Sequence, residues 1–459
     1  MNRWPHIVIV LACCALSACA EQAPESLPSP GGSWTAKPTV RPTMIRPART
    51  LNSAEKLDFW SGFAFFRDPW ITPPVTTTDR DGLGPYFNAQ SCVACHRGGG
   101  RGDSLFNTPE TLATVVRLPR DSLYGEQLQP MATFADGGAT AVSVTAYHAG
   151  EGRLLAASER RDVTLPDDST IELNQPRFQI DANHAGHSLD AFSVRIAPAL
   201  LGMGLLESIS LAQIEALEDP DDRDGDGISG RIHWVQDPVG DRRAGRYGWK
   251  AEQASVRSQT AAAFAQDIGI SNPVYRYQNC AAGQTACFEQ LDGNDEVEGV
   301  EIVTPLFDRV VYFTAHIAPP TAGAMTPRVQ RGWKTFRKVG CDGCHTPSFN
   351  VDVTTRDGET MSEQIWPYTD LLLHDMGDEL ADTLGSGDAS ASEWRTPPLW
   401  GLGRALKINP KTGLLHDGRA RTITEAIAWH GGEADSSRQH FFALSATDRE
   451  ALVAYVLAL

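Results

Sequence analysis

Two short motifs constrain this 459-residue chain more than anything else in it: Cys92-Val-Ala-Cys95-His96 and Cys341-Asp-Gly-Cys344-His345. Their spacing has a stereochemical reason. Two thiols on one helical turn reach the two vinyl groups of a porphyrin, and the next residue turns its imidazole toward the iron. Cys-x-x-Cys-His is therefore an attachment signature for a c-type haem. A zinc site would need four closed protein ligands, and a redox dithiol does not need the following histidine. Two copies in one chain leave chance a poor explanation. The expectation is two covalently bound haem c groups, held by Cys92, Cys95, Cys341 and Cys344, with His96 and His345 as iron ligands.

The N-terminus reads as an export signal over residues 1–18. Arg3 supplies the positive charge, and residues 6–16 form an apolar run too short to span a membrane comfortably. Leu16-Ser17-Ala18-Cys19 resembles the lipobox of bacterial lipoproteins, in which the cysteine is acylated after cleavage. The alternative is an ordinary signal that leaves Cys19 as a plain thiol or removes it. Residues 19–50, rich in Pro, Ser and Thr, read as a lipidated flexible tether. The expected location is the periplasm of a Gram-negative bacterium, with the membrane reached through the lipid anchor. There a Cys280–Cys287 disulfide is expected, two free thiols being the alternative. A net charge of -17 with no basic cluster argues against nucleic acid as a partner.

A weak internal repeat follows the motifs. Gly332-Trp-Lys-Thr-Phe336 precedes the second and resembles the first helix of small cytochromes c; Gly62-Phe-Ala-Phe-Phe66 stands before the first. Arg195-Ile-Ala-Pro198 and Arg395-Thr-Pro-Pro398 each lead to paired glycines, then to a Leu-Leu pair, then to a capped helix. Ser210 with Gln213, Thr422 with Glu425 and Thr447 with Glu450 are the expected caps. The expectation is a mainly α molecule of two cytochrome c-like haem domains, residues 51–325 and 326–459. The first carries a β-rich insertion, with strands at 111–118 and 141–147 and a hairpin around Asp167-Asp168.

Asp222-Arg-Asp224-Gly-Asp226-Gly227 has the alternating carboxylates of a calcium loop, although His233 stands where the twelfth-position Glu is usual. A Ca2+ ion at Asp222, Asp224 and Asp226 and a solvated acidic turn are both open. His148, His184, His187, His233, His316 and His440 read as ordinary polar residues. Trp400 reads as a core residue, with electron passage between haems as the alternative.

Segments 81–96, 195–208, 219–231, 332–347, 370–377, 394–403 and 414–434 together resemble the bacterial di-haem oxidoreductases, also called thiol oxidoreductases. These are related to dihaem cytochrome c peroxidases and, more distantly, to rubber oxygenases. The resemblance implies a periplasmic peroxidase-like oxidoreductase. Its N-terminal haem would react with peroxide or a small organic substrate, and its C-terminal haem would relay electrons from a periplasmic electron-transfer protein. It implies a catalytic role for Glu207, by its place in the repeat. It implies His430 as the distal ligand of the C-terminal haem, fourteen residues beyond His416 of the His416-Asp417-Gly418 turn, with His374 next in line. His374 and His416 match the family near the propionates or the domain interface. A dihaem electron carrier without catalysis, or an oxygenase, are the competing functions; the large insertion favours an enzyme.

Overall fold

The computed structural model describes residues 24–106, 113–134, 147–182 and 189–459. The export signal, Cys19, residues 111, 112 and 141–146 of the expected strands, and His184 and His187 lie outside the described residues.

The internal repeat is carried by helix crossings. Asn52 opens the helix Ser53–Arg67 with a reciprocal capping box: its side chain accepts from Ala54 N and Glu55 N, while Glu55 Oε2 accepts from Asn52 N. Thr326, followed by a proline at the first helical position, opens Pro327–Lys338. The first helix packs on Thr304–Ala315 and the second on Ala446–Val456. Both crossings are close because a glycine sits at the contact. A Cβ at Gly62 would run into the Arg309 carbonyl oxygen, and one at Gly332 into that of Ala451. The same order recurs further on, where Gly202 N donates to Ile317 O at 2.8 Å and Gly401 N to Leu459 O at 2.9 Å. Ser210 and Thr422 cap their helices as expected, but the last helix is capped by Ser445 with Asp448, not by Thr447 with Glu450.

The expectation of a mainly α molecule is corrected. Helix makes up 28% and strand 19% of the structure, with many small sheets. The chain contains 41 Gly and 29 Pro, which stop most helices within a few turns and leave long connections that pair among themselves. The hairpin expected around Asp167-Asp168 is Gly152–Thr164 paired antiparallel with Thr170–Ala182, Asp168 taking the left-handed turn position at φ 61°. Thr114–Arg117 pairs with Ser193–Ile196, the strand that carries Arg195. A hairpin that the sequence reading did not anticipate, Phe349–Thr354 with Thr360–Ile365, follows the second motif.

These two hairpins are exchanged between the halves. Ile171 and Leu173 of the first lie in the core built by Val329, Phe336, Trp429 and Leu452. Phe349, Val351, Val353 and Ile365 of the second lie in the core of Phe59, Phe66, Phe307 and Phe313. Each half therefore completes its apolar core with strands from the other.

The expectation of a tether over residues 19–50 is also corrected for its described part. Trp34, Met44, Ile45 and Ala48 are buried, and Trp34 stacks on His316 at 5.0 Å. Ala36 N donates to Pro319 O and Ala48 N to His316 O, both at 2.9 Å. Prolines here produce an extended strap whose apolar side chains seal the first core, because a Pro-rich stretch with aromatic and branched residues still has surface to bury.

Candidate haem sites

Each motif forms a single helical turn. His96 N donates to Cys92 O at 2.8 Å, and His345 N to Cys341 O at 3.0 Å, which places two thiols and the imidazole on one short arc. The preceding helix delivers a phenylalanine to each ring, Phe66 at 6.3 Å from His96 and Phe336 at 6.5 Å from His345. Burial pushes the Cys92 and Cys341 thiols up to about 12, and Cys95 and Cys344 are raised as well. None of these four cysteines is in a disulfide. Cys280 and Cys287, by contrast, are joined in a disulfide.

Two cavities open onto these motifs. Cys92, Cys95 and His96 line the first, and Cys341, Cys344, His345 and His430 line the second. In all three imidazoles Nδ1 meets a backbone carbonyl: His96 with Pro198 O at 2.9 Å, His345 with Tyr368 O at 3.0 Å, and His430 with Ala426 O at 2.6 Å. Nδ1 must then carry the proton, and Nε2 keeps the lone pair that a metal takes. Burial lowers all three, His96 and His345 to about 4, so each ring is neutral at neutral pH. Neutral thiols, fixed neutral imidazoles and apolar walls, Leu200, Leu201 and Phe264 in the first cavity and Leu402, Leu414 and Val456 in the second, fit a haem at each place.

The two cavities differ in their further lining. The second holds His430 at the C-terminal end of the helix Ile423–Trp429, near enough to His345 for its charge to be felt there. In the first, His96 is the only histidine among the described lining residues, and part of the largely apolar wall is polar: Arg117, Gln127, Glu252, Gln259 and Asp267. Burial works against ionising Glu252, but Arg195, hydrogen-bonded to it, and Arg117 outweigh it and bring the carboxyl down to about 2. Asp267 is raised by burial, although Gln127 Nε2 donates to it at 2.8 Å. It sits in a π-turn, Phe264–Ile268, which breaks the register of the helix Val256–Ala263 and turns Gln266 and Asp267 to the cavity. The Gln259 Oε1 atom is buried there without a hydrogen-bond partner among the described residues.

Several expected residues lie elsewhere. Glu207 does not reach the cavity lining: it is exposed, and its Oε2 accepts from Val256 N at 2.9 Å, satisfying a free donor at the start of Val256–Ala263. Its expected catalytic role is corrected to a cap. His374 is held between Asp370 at 2.8 Å and Glu433 at 2.7 Å. Burial would discharge it, but these carboxylates raise it well above its ordinary value, so both nitrogens are spent and it is no iron ligand. His416 stacks on Trp394 at 3.8 Å. His233 is buried with Nδ1 on Lys250 O at 2.6 Å, away from the calcium-loop role of a twelfth ligand. Asp222, Asp224 and Asp226 do come together, with one ligand atom from each within 4.8 Å of the others. Ile228, just after them, lines the second cavity.

The sequence reading missed the wall between the cavities. Arg101, Trp249, Arg395, Pro397 and Pro398 line both. Trp249 Nε1 donates to Ile196 O at 2.8 Å, and the Arg101 guanidinium lies 5.0 Å over its ring. Trp400, the expected candidate, lines only the first cavity. Trp249 and Arg101 lie outside any motif, so only the Arg395-Thr-Pro-Pro398 loop signalled this wall in advance.

No curated protein matches the sequence. Among protein families, residues 142–459 match the one described as "Di-haem oxidoreductase, putative peroxidase". The match takes in the second motif, both Arg-x-x-Pro loops and His430, and it spans well over half of the chain. Together with the two matched cavities it establishes that this chain belongs to the di-haem oxidoreductase family, a family of proteins that carry two haems.

Proposed function

We propose that the chain is a peroxidase-type c-type oxidoreductase of the periplasm. Its haems are attached through Cys92, Cys95, Cys341 and Cys344, the N-terminal one reactive and the C-terminal one a relay. The observation that carries this reading is the unequal lining: His345 and His430 both face the second cavity, whereas among the described residues His96 is alone among histidines in the first. Two imidazoles suit electron transfer; one imidazole and a polar wall suit a reacting ligand. Haem supplies electron storage and the O–O bond chemistry when bound.

The protein's own groups do the rest. His96 and His345 hold their positions through Pro198 O and Tyr368 O. Gln259 Oε1 is an acceptor for the O–H of an incoming peroxide. Asp267, raised by burial, is placed to pass a proton to a leaving oxygen, while Glu252 stays ionised and holds Arg195. Trp249 gives an aromatic path across the shared wall. A periplasmic electron-transfer protein is the proposed donor, Cys19 the proposed lipid anchor, and Asp222, Asp224 and Asp226 a proposed Ca2+ site.

The test is a spectrum of the full chain, produced with c-type maturation machinery. Its mass should show two covalent haems. Peroxide, cyanide or carbon monoxide should perturb one haem and spare the other. Two haems that both ignore all three ligands would make the protein an electron carrier.

A further inference from the structure

Five arginines of the described residues are buried: Arg101, Arg195, Arg395, Arg419 and Arg449. Three have carboxylate partners. Arg195 meets Glu252, Arg419 meets Asp417 at 2.8 Å, and Arg449 meets Asp167 at 2.5 Å. Arg101 and Arg395 have none within salt-bridge range among the described residues, although they are only 8% and 7% exposed. Their partners are backbone carbonyls. Arg101 donates to Gly413 O at 3.1 Å and Leu415 O at 2.9 Å; Arg395 donates to Gly248 O at 2.9 Å and Thr396 O at 3.3 Å. A guanidinium has five N–H donors, so each keeps donors unspent. Arg101 has no acidic neighbour among the described residues to offset its charge, and Arg395 has only Glu252, Tyr247 and Asp370 beyond salt-bridge range. Burial lowers both to about 10, in keeping with a cation that lacks its counter-ion.

These two exceptions are also the two arginines that line both cavities. We propose that Arg101 and Arg395 form a cationic clamp between the haems, each taking propionate carboxylates from the cavity on either side. The chemistry fits. A propionate is a planar anion matched to the guanidinium fork. The stacking of Arg101 over Trp249 holds its plane on the shared wall. Because each cation faces both cavities, its charge bears on both irons, and it couples their redox states through the wall that Trp249 occupies.

The clamp rests on the two-haem reading, so haem content is measured first, by mass, on the full-length wild type. A wild type without two haems ends that reading before the clamp is addressed. With two haems present, Arg101→Gln and Arg395→Gln are compared with wild type by spectroelectrochemical titration. Removing a cation favours the ferric state, so both reduction potentials should fall together in each variant. Arg246→Gln serves as the control: Arg246 lies outside both cavities and bonds Leu206 O and Ile209 O. The clamp is overturned if only one haem shifts, if neither does, or if the Arg246 variant shifts both equally. Inorganic phosphate separates the two sources of anion. Wild-type potentials independent of added phosphate fit propionates, and potentials that follow phosphate would assign the site to a free anion instead. If a glutamine variant does not fold, Arg101→Lys and Arg395→Lys keep the charge but lose the planar fork. The propionate-bending bands of both haems should then move in the resonance Raman spectrum, and unmoved bands overturn the clamp.

Discussion

The first cavity carries two carboxylates with opposite fates. Glu252 is pinned ionised against Arg195, while Asp267 has only amide and distant cationic help against burial and is raised. Asp267 is thus the group able to carry a proton at that wall. Asp267→Asn should slow peroxide-dependent turnover about 100-fold or more, the usual worth of a placed acid–base group. Glu207→Gln should leave turnover near the wild-type rate. Steady-state kinetics on haem-loaded protein checks both, and an Asn variant as fast as wild type would remove Asp267 from the reaction. The repeat pointed to Glu207 by position alone, and position does not say which way a side chain is spent. Asp267 reaches the cavity through a π-turn that no residue type announces. The haem-motif residues were legible because their chemistry is written in five consecutive letters.

The helix Ile423–Trp429 shows how an element places the proposed ligand His430. Thr422 caps it at one end, and it ends where His430 leaves helical geometry, at ψ 121°. The ring turns to the second cavity with Nδ1 tied back to Ala426 O. Imidazole lacks the potential-raising effect of a methionine thioether. His430→Met should therefore raise the reduction potential of the C-terminal haem and add a methionine–iron charge-transfer band, read by redox titration and near-infrared absorption. If neither changes, His430 is not the ligand. Helix starts were readable from Ser210 and Thr422 because a capping side chain acts locally. The hairpin Phe349–Thr354 and Thr360–Ile365 was not: its apolar face is buried on residues almost three hundred positions earlier in the chain, and nothing local says so.

At the scale of the molecule, burial has left two glutamates short of ionisation. Glu151 is raised to about 8 and Glu301 to about 7, desolvation leading in both. Their ordinary value is 4.5, so between 4.5 and about 8 the folded chain holds protons that the unfolded chain has released. Their contribution to stability must then fall as pH rises through that interval, each group costing roughly 1.4 kcal/mol for every pH unit crossed below its folded-state value. His96 and His345, lowered to about 4, pull the other way below 6.5, and Lys250, lowered to about 7, does so above that value. The contribution is therefore read by difference: the melting temperature of Glu151→Gln relative to wild type should rise from pH about 5 to about 8, and a constant difference would show that Glu151 plays no part. Glu252, depressed to about 2, works in the other sense, contributing stability above 4.5 that is lost on acidification toward 2. The exchanged hairpins bind such local effects into one body. They also set an order in time. By residue 325 the first half has been synthesised in full, yet its core still lacks Phe349, Val351, Val353 and Ile365. Its core is complete only when those residues are also present, so the earlier pair of thiols sits in an unfinished fold until the later part of the chain has joined it.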